Sequence, residues 1–340
     1  MDMDGEKMTS SYCATAPSKV ILFGEHSVVH GTPAIAVALN IRSKARINLD
    51  LEPQKKGFIN IISKELKEKR VYSLEEIKEL VNGNNKKFGV LDPFALELGI
   101  ILKEEFIQQH NINLVLESEI PVGAGLGSSA SVSTSVAGAG FLVKQEELDP
   151  QQVRKVAFEG EKITHGKPSG IDNTITSLGG MVYFKKGEEP VREEIKYEIP
   201  LIIANTKVPR STARLVAAVA ERLERRGTIL RYIFDSISNI VEQGRDALKK
   251  GDLSHLGELM DINHGLLHGL GVSHPLLDKY VWIAREAGAL GAKLTGAGGG
   301  GCMIALAEDS EKAQLIKEAL ISVGAEVFST VLTNEGVTKC

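Results

Sequence analysis

The chain has 340 residues, 43% apolar and 25% charged, enough apolar material to bury a sizeable core, which excludes an intrinsically disordered protein. Its 40 basic and 44 acidic residues leave a net charge of -4 with no basic stripe, so no nucleic-acid surface is expected and any anionic ligand must be held locally. The length favours two domains, since domains commonly run ~100 to 200 residues. Cys13, Cys302 and Cys340 form an odd, scattered set that suits a reducing compartment better than a disulfide framework. The polar, acidic start lacks the pattern of a secretory or transit peptide, and no apolar run reaches the ~18 residues of a membrane span. A cytoplasmic protein with no membrane contact is expected.

Residues 19–23 read as a short buried strand, and residues 46–51 alternate polar and apolar as a half-buried strand does. Ser73 with Glu76 predicts a capping box for a helix through Val81, and Asp92-Pro93 supplies an N-cap and N1 pair for a second helix through Phe106. A strand over 113–117 then runs into the glycine-rich segment PVGAGLGSSA at 121–130, followed by a small-residue helix over 131–143. Asp149-Pro150 opens a helix that should stop near Gly166, and the chain resumes at 171–178 after a tight KPSG loop. Strands are predicted at 181–184 and 199–205, separated by a charged stretch at 185–196 that is the best domain boundary. Beyond it lie helical patterns over 212–226, 229–250 and 275–287, then TGAGGGGC between two short strands.

A loop that wraps phosphates needs inward-pointing backbone N–H groups, and glycine permits both the dihedrals and the close approach. Gly123, Gly125 and Gly127 provide that freedom, and a helix starting near Ser128 would add unpaired amides and a positive dipole end. Serine hydroxyls at Ser128 and Ser129 beside phosphates suit Mg2+, which prefers oxygen donors. A packing turn explains such a run equally well. Residues 125–130 also fit GxGxxA, but a dinucleotide unit should open a domain, not follow 120 residues, and GxxxxGK[ST] is absent.

The second cluster, KLTGAGGGGC at 293–302, has five glycines in six positions, too costly in backbone entropy for an ordinary connection. Either something approaches that backbone closely or it is a sharp structural turn. Phosphoryl transfer needs a cation for developing charge, a carboxylate for metal and often a base. Glu161 and Asp172 flank the KPSG loop, and its turn could bring both carboxylates to one pocket; a solvated helix face and a simple cap are the plain alternatives. Lys19, opening a strand, could equally snorkel to solvent. His264 and His268 have the i, i+4 spacing of a zinc pair, but the HExxH glutamate is missing, and helix packing is the alternative. His26 and His30, in a loop with Glu25, are capping groups or ligand contacts.

Taken together, APSKVILFGEHSVVHG at 16–31, PVGAGLGSSA at 121–130 and KLTGAGGGGC at 293–302 resemble the three ordered motifs of the GHMP kinase superfamily. GEKITHGKPSGIDN at 160–173, TKVPRSTARLV at 206–216 and NHGLLHGLGVSHPLLD at 263–278 narrow the resemblance to the mevalonate kinases within it.

The resemblance implies an α+β fold of two domains, a ribosomal-protein-S5-like ATP-binding domain over 1–190 and a ferredoxin-like α+β domain over 191–340, with the active site in the cleft between. It implies ATP and Mg2+ as cofactors and phosphorylation of the C5 hydroxyl of mevalonate. By position, Asp172 is the base and Lys19 the cation beside the transferred group. Pro121, Val122, Gly123, Ala124, Gly125, Leu126, Gly127, Ser128 and Ser129 wrap the phosphates, with Ser129 and Glu161 as metal ligands. Glu25, His26 and Thr212 line the substrate, and Gly296, Gly298 and Gly299 form a phosphate-side loop. A homodimer and feedback inhibition by prenyl diphosphates are further implications. Alternatives are phosphomevalonate, homoserine or galactose kinases, or a silent binding protein; the intact set of Lys19, Ser129, Glu161 and Asp172 argues against the last.

Overall fold

The computed structural model describes residues 9–50, 56–83, 88–121, 123–165 and 170–340. The chain opens with two long strands, β1 (Thr9–Phe23) and β2 (Ala34–Asp50), followed by the hairpin β3 (Phe58–Ser63) and β4 (Glu68–Ser73). Next come α1 (Leu74–Val81), α2 (Asp92–Gln109), β5 (Asn111–Ser118), α3 (Ser128–Val143), α4 (Pro150–His165) and α5 (Ile171–Leu178). Strands β6 (Met181–Phe184), β7 (Val191–Glu193) and β8 (Pro200–Asn205) precede the long α6 (Thr212–Lys250), α7 (Leu253–Gly269) and α8 (Pro275–Glu286). The chain closes with β9 (Gly291–Leu294), β10 (Cys302–Leu306), α9 (Ser310–Ser322), β11 (Glu326–Val331) and β12 (Thr338–Lys339).

The strands form two sheets. One has the path β12-β1-β2-β5-β3-β4, with β6 and β7 continuing from β2, and the other the order β11-β8-β10-β9. The pairings are antiparallel except β3 with β5. The sheets do not part at one point of the sequence: β7 lies past residue 190 yet pairs with β6, and β12 returns to β1. One apolar cluster runs through both, joining Val20, Phe23, Ile35 and Val37 to Ile203, Ile237 and Ile304.

Local signals explain the helices well. Ser73 and Glu76 form the expected reciprocal capping box. Helix α3 is built of small residues because it packs tightly: methyl groups at Gly138 and Gly140 would press on Ala14, Val337 and Ile101. Asp92 differs from expectation. Leu91 holds the N-cap position, and the Asp92 carboxylate is buried, accepting from Tyr72 Oη at 2.7 Å, Arg70 Nη1 at 2.8 Å and the Gly89 N–H at 2.8 Å. The two helices expected over 212–250 are one helix kinked at Arg226, whose φ of -135° breaks the ladder just before Gly227.

The cysteine expectation is overturned. Cys13 and Cys340 form a disulfide with Cα atoms 5.4 Å apart, leaving Cys302 free and buried. Antiparallel pairing of β12 with β1 brings the two together, although 327 residues separate them in sequence. No described helix is long and apolar enough to cross a membrane.

Candidate active site

The first glycine cluster leads directly into α3, which starts at Ser128. Gly123, Gly125 and Gly127 have φ of 75°, 82° and 74°, left-handed conformations that side chains with a Cβ rarely adopt. Gly127 occupies the N-cap position and no side chain caps the helix, so the first turn keeps amides available for an anion. Ser129 is exposed there and Ser128 partly so, while Ala124 and Leu126 anchor the loop in the core. Pro121 enters the loop, accepting a hydrogen bond from the Ala124 N–H at 3.4 Å; Val122 lies outside the described residues.

Lys19 sits against this loop. Its N–H donates to Leu126 O at 3.0 Å, and its side-chain stem passes Gly127. The ammonium, on a residue only 6% exposed, lies 2.9 Å from Asp172 Oδ1. Asp172 stands in the first turn of α5 with its side chain 33% exposed, so the pair opens toward solvent on the carboxylate side. A Gly127→Ala variant puts a methyl 2.8 Å from Lys19 Cγ in a strained conformation. We expect it to lose ~1 to 2 kcal/mol of stability from the left-handed backbone alone and to lower kcat by displacing the ammonium. Wild-type kcat and melting temperature would contradict this.

Glu161, on α4, completes the cluster. Its Oε2 accepts from Asn173 Nδ2 at 2.8 Å, and burial, reinforced by the nearby Asp172 charge, pushes its carboxyl up to about 7 against a smaller opposing effect of Lys19. Glu161 and Asp172 lie near enough for the charge of one to act on the other, and carboxylate oxygens suit a hard divalent cation. Asn173, fully buried, fixes Glu161 and was not singled out from sequence; its adjacency to Asp172 in SGIDN is the signal available.

Glu25 and His26 are placed differently from a simple substrate wall. Glu25 is 1% exposed and pairs with the fully buried Lys293 of β9, while its Oε2 accepts from Asn263 Nδ2 at 3.2 Å. Burial raises the Glu25 carboxyl and lowers the Lys293 ammonium, each opposed by the other's charge. His26, with φ of 62°, donates from Nε2 to Ala297 O at 2.9 Å, and Thr295 Oγ1 donates to Ile21 O at 2.8 Å. The first motif is thus bolted to the second glycine loop. Thr212 is the exposed first residue of α6, behind an N-cap formed by Ser211.

Gly296, Gly298 and Gly299 all have positive φ, and what approaches that loop is the protein itself: Gly299 donates to Val272 O at 2.8 Å, and a methyl at Gly298 would overlap the same carbonyl. His264 is buried and His268 exposed. The Nδ1 of His264 accepts the Leu294 N–H at 3.3 Å, and both imidazoles lie 3.3 Å from Asp278.

A glycine loop opening an uncapped helix, with a lysine–aspartate pair at its side and a second carboxylate nearby, suits a phosphotransferase. The sequence matches the GHMP kinases N terminal domain over residues 93–180 and the GHMP kinases C terminal domain over 245–326. It is 38% identical over 330 residues to the mevalonate kinase of Thermococcus sibiricus, covering 95% of this chain and 97% of that one. The crystal structure of Methanococcus jannaschii mevalonate kinase superposes with a TM-score of 0.80 at 30% identity, covering 97% of this chain and 99% of the other. L. major mevalonate kinase in complex with R-mevalonate gives 0.80 at 27% identity, with 97% and 98% covered. The chain belongs to the mevalonate kinase family.

Proposed function

We propose that this chain transfers the γ-phosphoryl group of ATP to the C5 hydroxyl of (R)-mevalonate, giving 5-phosphomevalonate and ADP for isoprenoid synthesis. The observation that carries the reading is the 2.9 Å pair of Lys19 and Asp172 beside the glycine loop. Asp172 accepts the hydroxyl proton as the oxygen attacks phosphorus, and the bond from the γ-phosphorus to the bridging oxygen of ADP breaks. Lys19 holds the Asp172 carboxylate in place and offsets negative charge on the attacking oxygen and the transferred group. The loop amides of residues 123–129 position the polyphosphate, which supplies much of the rate by orientation.

Ser129 and Glu161 would hold Mg2+, and the cation would neutralise charge on the phosphate oxygens. Glu161 itself, steadied by Asn173, keeps a carboxylate next to the reacting groups. Thr212 and His26 would line the substrate side, while Glu25 pairs with Lys293 and accepts from Asn263. Glu161→Gln is expected to raise the Mg2+ concentration for half-maximal rate about tenfold or more, the scale at which even outer-shell changes act. An unchanged magnesium titration would count against the assignment.

A coupled assay offering mevalonate, phosphomevalonate, homoserine and galactose with Mg-ATP tests the substrate. Turnover of mevalonate alone supports the reading, and activity on none of the four sinks it. A cytoplasmic homodimer inhibited by prenyl diphosphates is part of the proposal on the strength of the family likeness, checked by sedimentation and by inhibition with farnesyl diphosphate.

A further inference from the structure

Arg210 follows Pro209 in the segment between β8 and α6, and its guanidinium reaches between the two glycine loops. Nη1 donates to Gly300 O at 3.0 Å and Nη2 to Ala124 O at 3.3 Å. Among the described residues it is the one side chain from beyond β7 that bonds to the phosphate loop. The loops are shaped around it: a methyl at Gly125 or at Gly301 would overlap the guanidinium, and both glycines have positive φ.

The electrostatics are incomplete. Burial works against the charge of Arg210, and among the described residues no carboxylate lies within ion-pair distance. A guanidinium has five N–H donors, and the two carbonyls occupy two of them. Carbonyl oxygens are partial acceptors and leave the net positive charge uncompensated. A planar fork with unused donors, beside an uncapped helix start, suits a phosphate group.

We propose that Arg210 is a positioning residue that locks the phosphate loop to the second glycine loop and turns its remaining N–H groups to the bound polyphosphate. The proposal rests on residues 121–129 being the ATP phosphate site. With the polyphosphate present, the buried charge gains its counter-ion and the two loops close on one ligand. Without it, the guanidinium holds the loop through the Ala124 carbonyl alone.

The test compares wild type with Arg210→Gln and Arg210→Lys, using inorganic tripolyphosphate as the binding probe and ATP with mevalonate for kinetics. Calorimetry is expected to show tripolyphosphate binding to wild type and a loss of about tenfold in affinity for Arg210→Gln, the scale of one charge-assisted hydrogen bond. KM for ATP rises by a similar factor while KM for mevalonate stays within about twofold, a split that a merely structural residue would not produce. Arg210→Lys keeps the charge but loses the fork, so it recovers part of the affinity, and it carries the test if the glutamine variant fails to fold. Equal tripolyphosphate affinity in wild type and either variant overturns the proposal, as does a lowered melting temperature with unchanged KM for ATP. Wild type that ignores tripolyphosphate overturns the phosphate-loop reading itself.

Discussion

Asp172→Asn is expected to lower kcat by ~10²- to 10⁴-fold, the contribution a well-placed general base makes, while ATP affinity stays near wild type. Asparagine keeps the shape of the side chain, its Oδ1 can still accept from Lys19 Nζ, and the first turn of α5 loses no hydrogen bond that the structure shows for the carboxylate. What is lost is a group able to take a proton and a negative charge opposite Lys19. The effect is therefore expected on turnover, because in the proposed reading the loop at 123–129, and not Asp172, holds the nucleotide. Single-turnover phosphorylation and calorimetric ATP titration separate the two quantities. A variant with turnover comparable to wild type would remove Asp172 from the chemistry.

The second large effect is on stability. Lys293 and Glu25 form an ion pair with both side chains essentially sealed from water, and Lys293 Nζ also donates to Leu294 O at 2.8 Å. Their mutual attraction offsets two desolvation costs, so removing one partner leaves an uncompensated buried charge. Lys293→Met is expected to destabilise by ~3 to 5 kcal/mol, seen as a large drop in melting temperature. The double variant Glu25→Leu/Lys293→Met should recover most of that loss, since replacing both ions with apolar groups of similar volume is often neutral. Equal melting temperatures for Lys293→Met and wild type would show that the pair does not brace the first motif against β9.

Much of this site was legible because its signals are local. The start of α3 at Ser128 follows from glycine conformational freedom and the small residues after it, and α1 from a capping box within four residues. What escaped was set by distance. Strand β4 carries Glu68, Lys69 and Arg70 on an exposed edge, so no apolar alternation marks it, and the place of its hairpin partner β3 depends on parallel pairing with β5 some fifty residues on. The Lys293–Glu25 pair joins residues 268 apart, and sequence gives Lys293 no reason to be buried. Arg210 lay in view within TKVPRSTARLV, but its meaning depends on two carbonyls contributed by loops on either side of it in the chain.

The join between Cys13 and Cys340 makes the described polypeptide nearly a closed ring. Tension applied at residues 13 and 340 would be carried by the covalent bridge, leaving both sheets and the cleft unloaded. Cutting the bridge transfers that load to β12, a two-residue strand, and to the contacts that follow it inward, where the Val337 N–H donates to Ser177 O at the far end of the helix bearing Asp172. In a pulling experiment the reduced protein should therefore yield first at the segment behind the helix bearing Asp172, and phosphoryl transfer should fail before the sheets unravel.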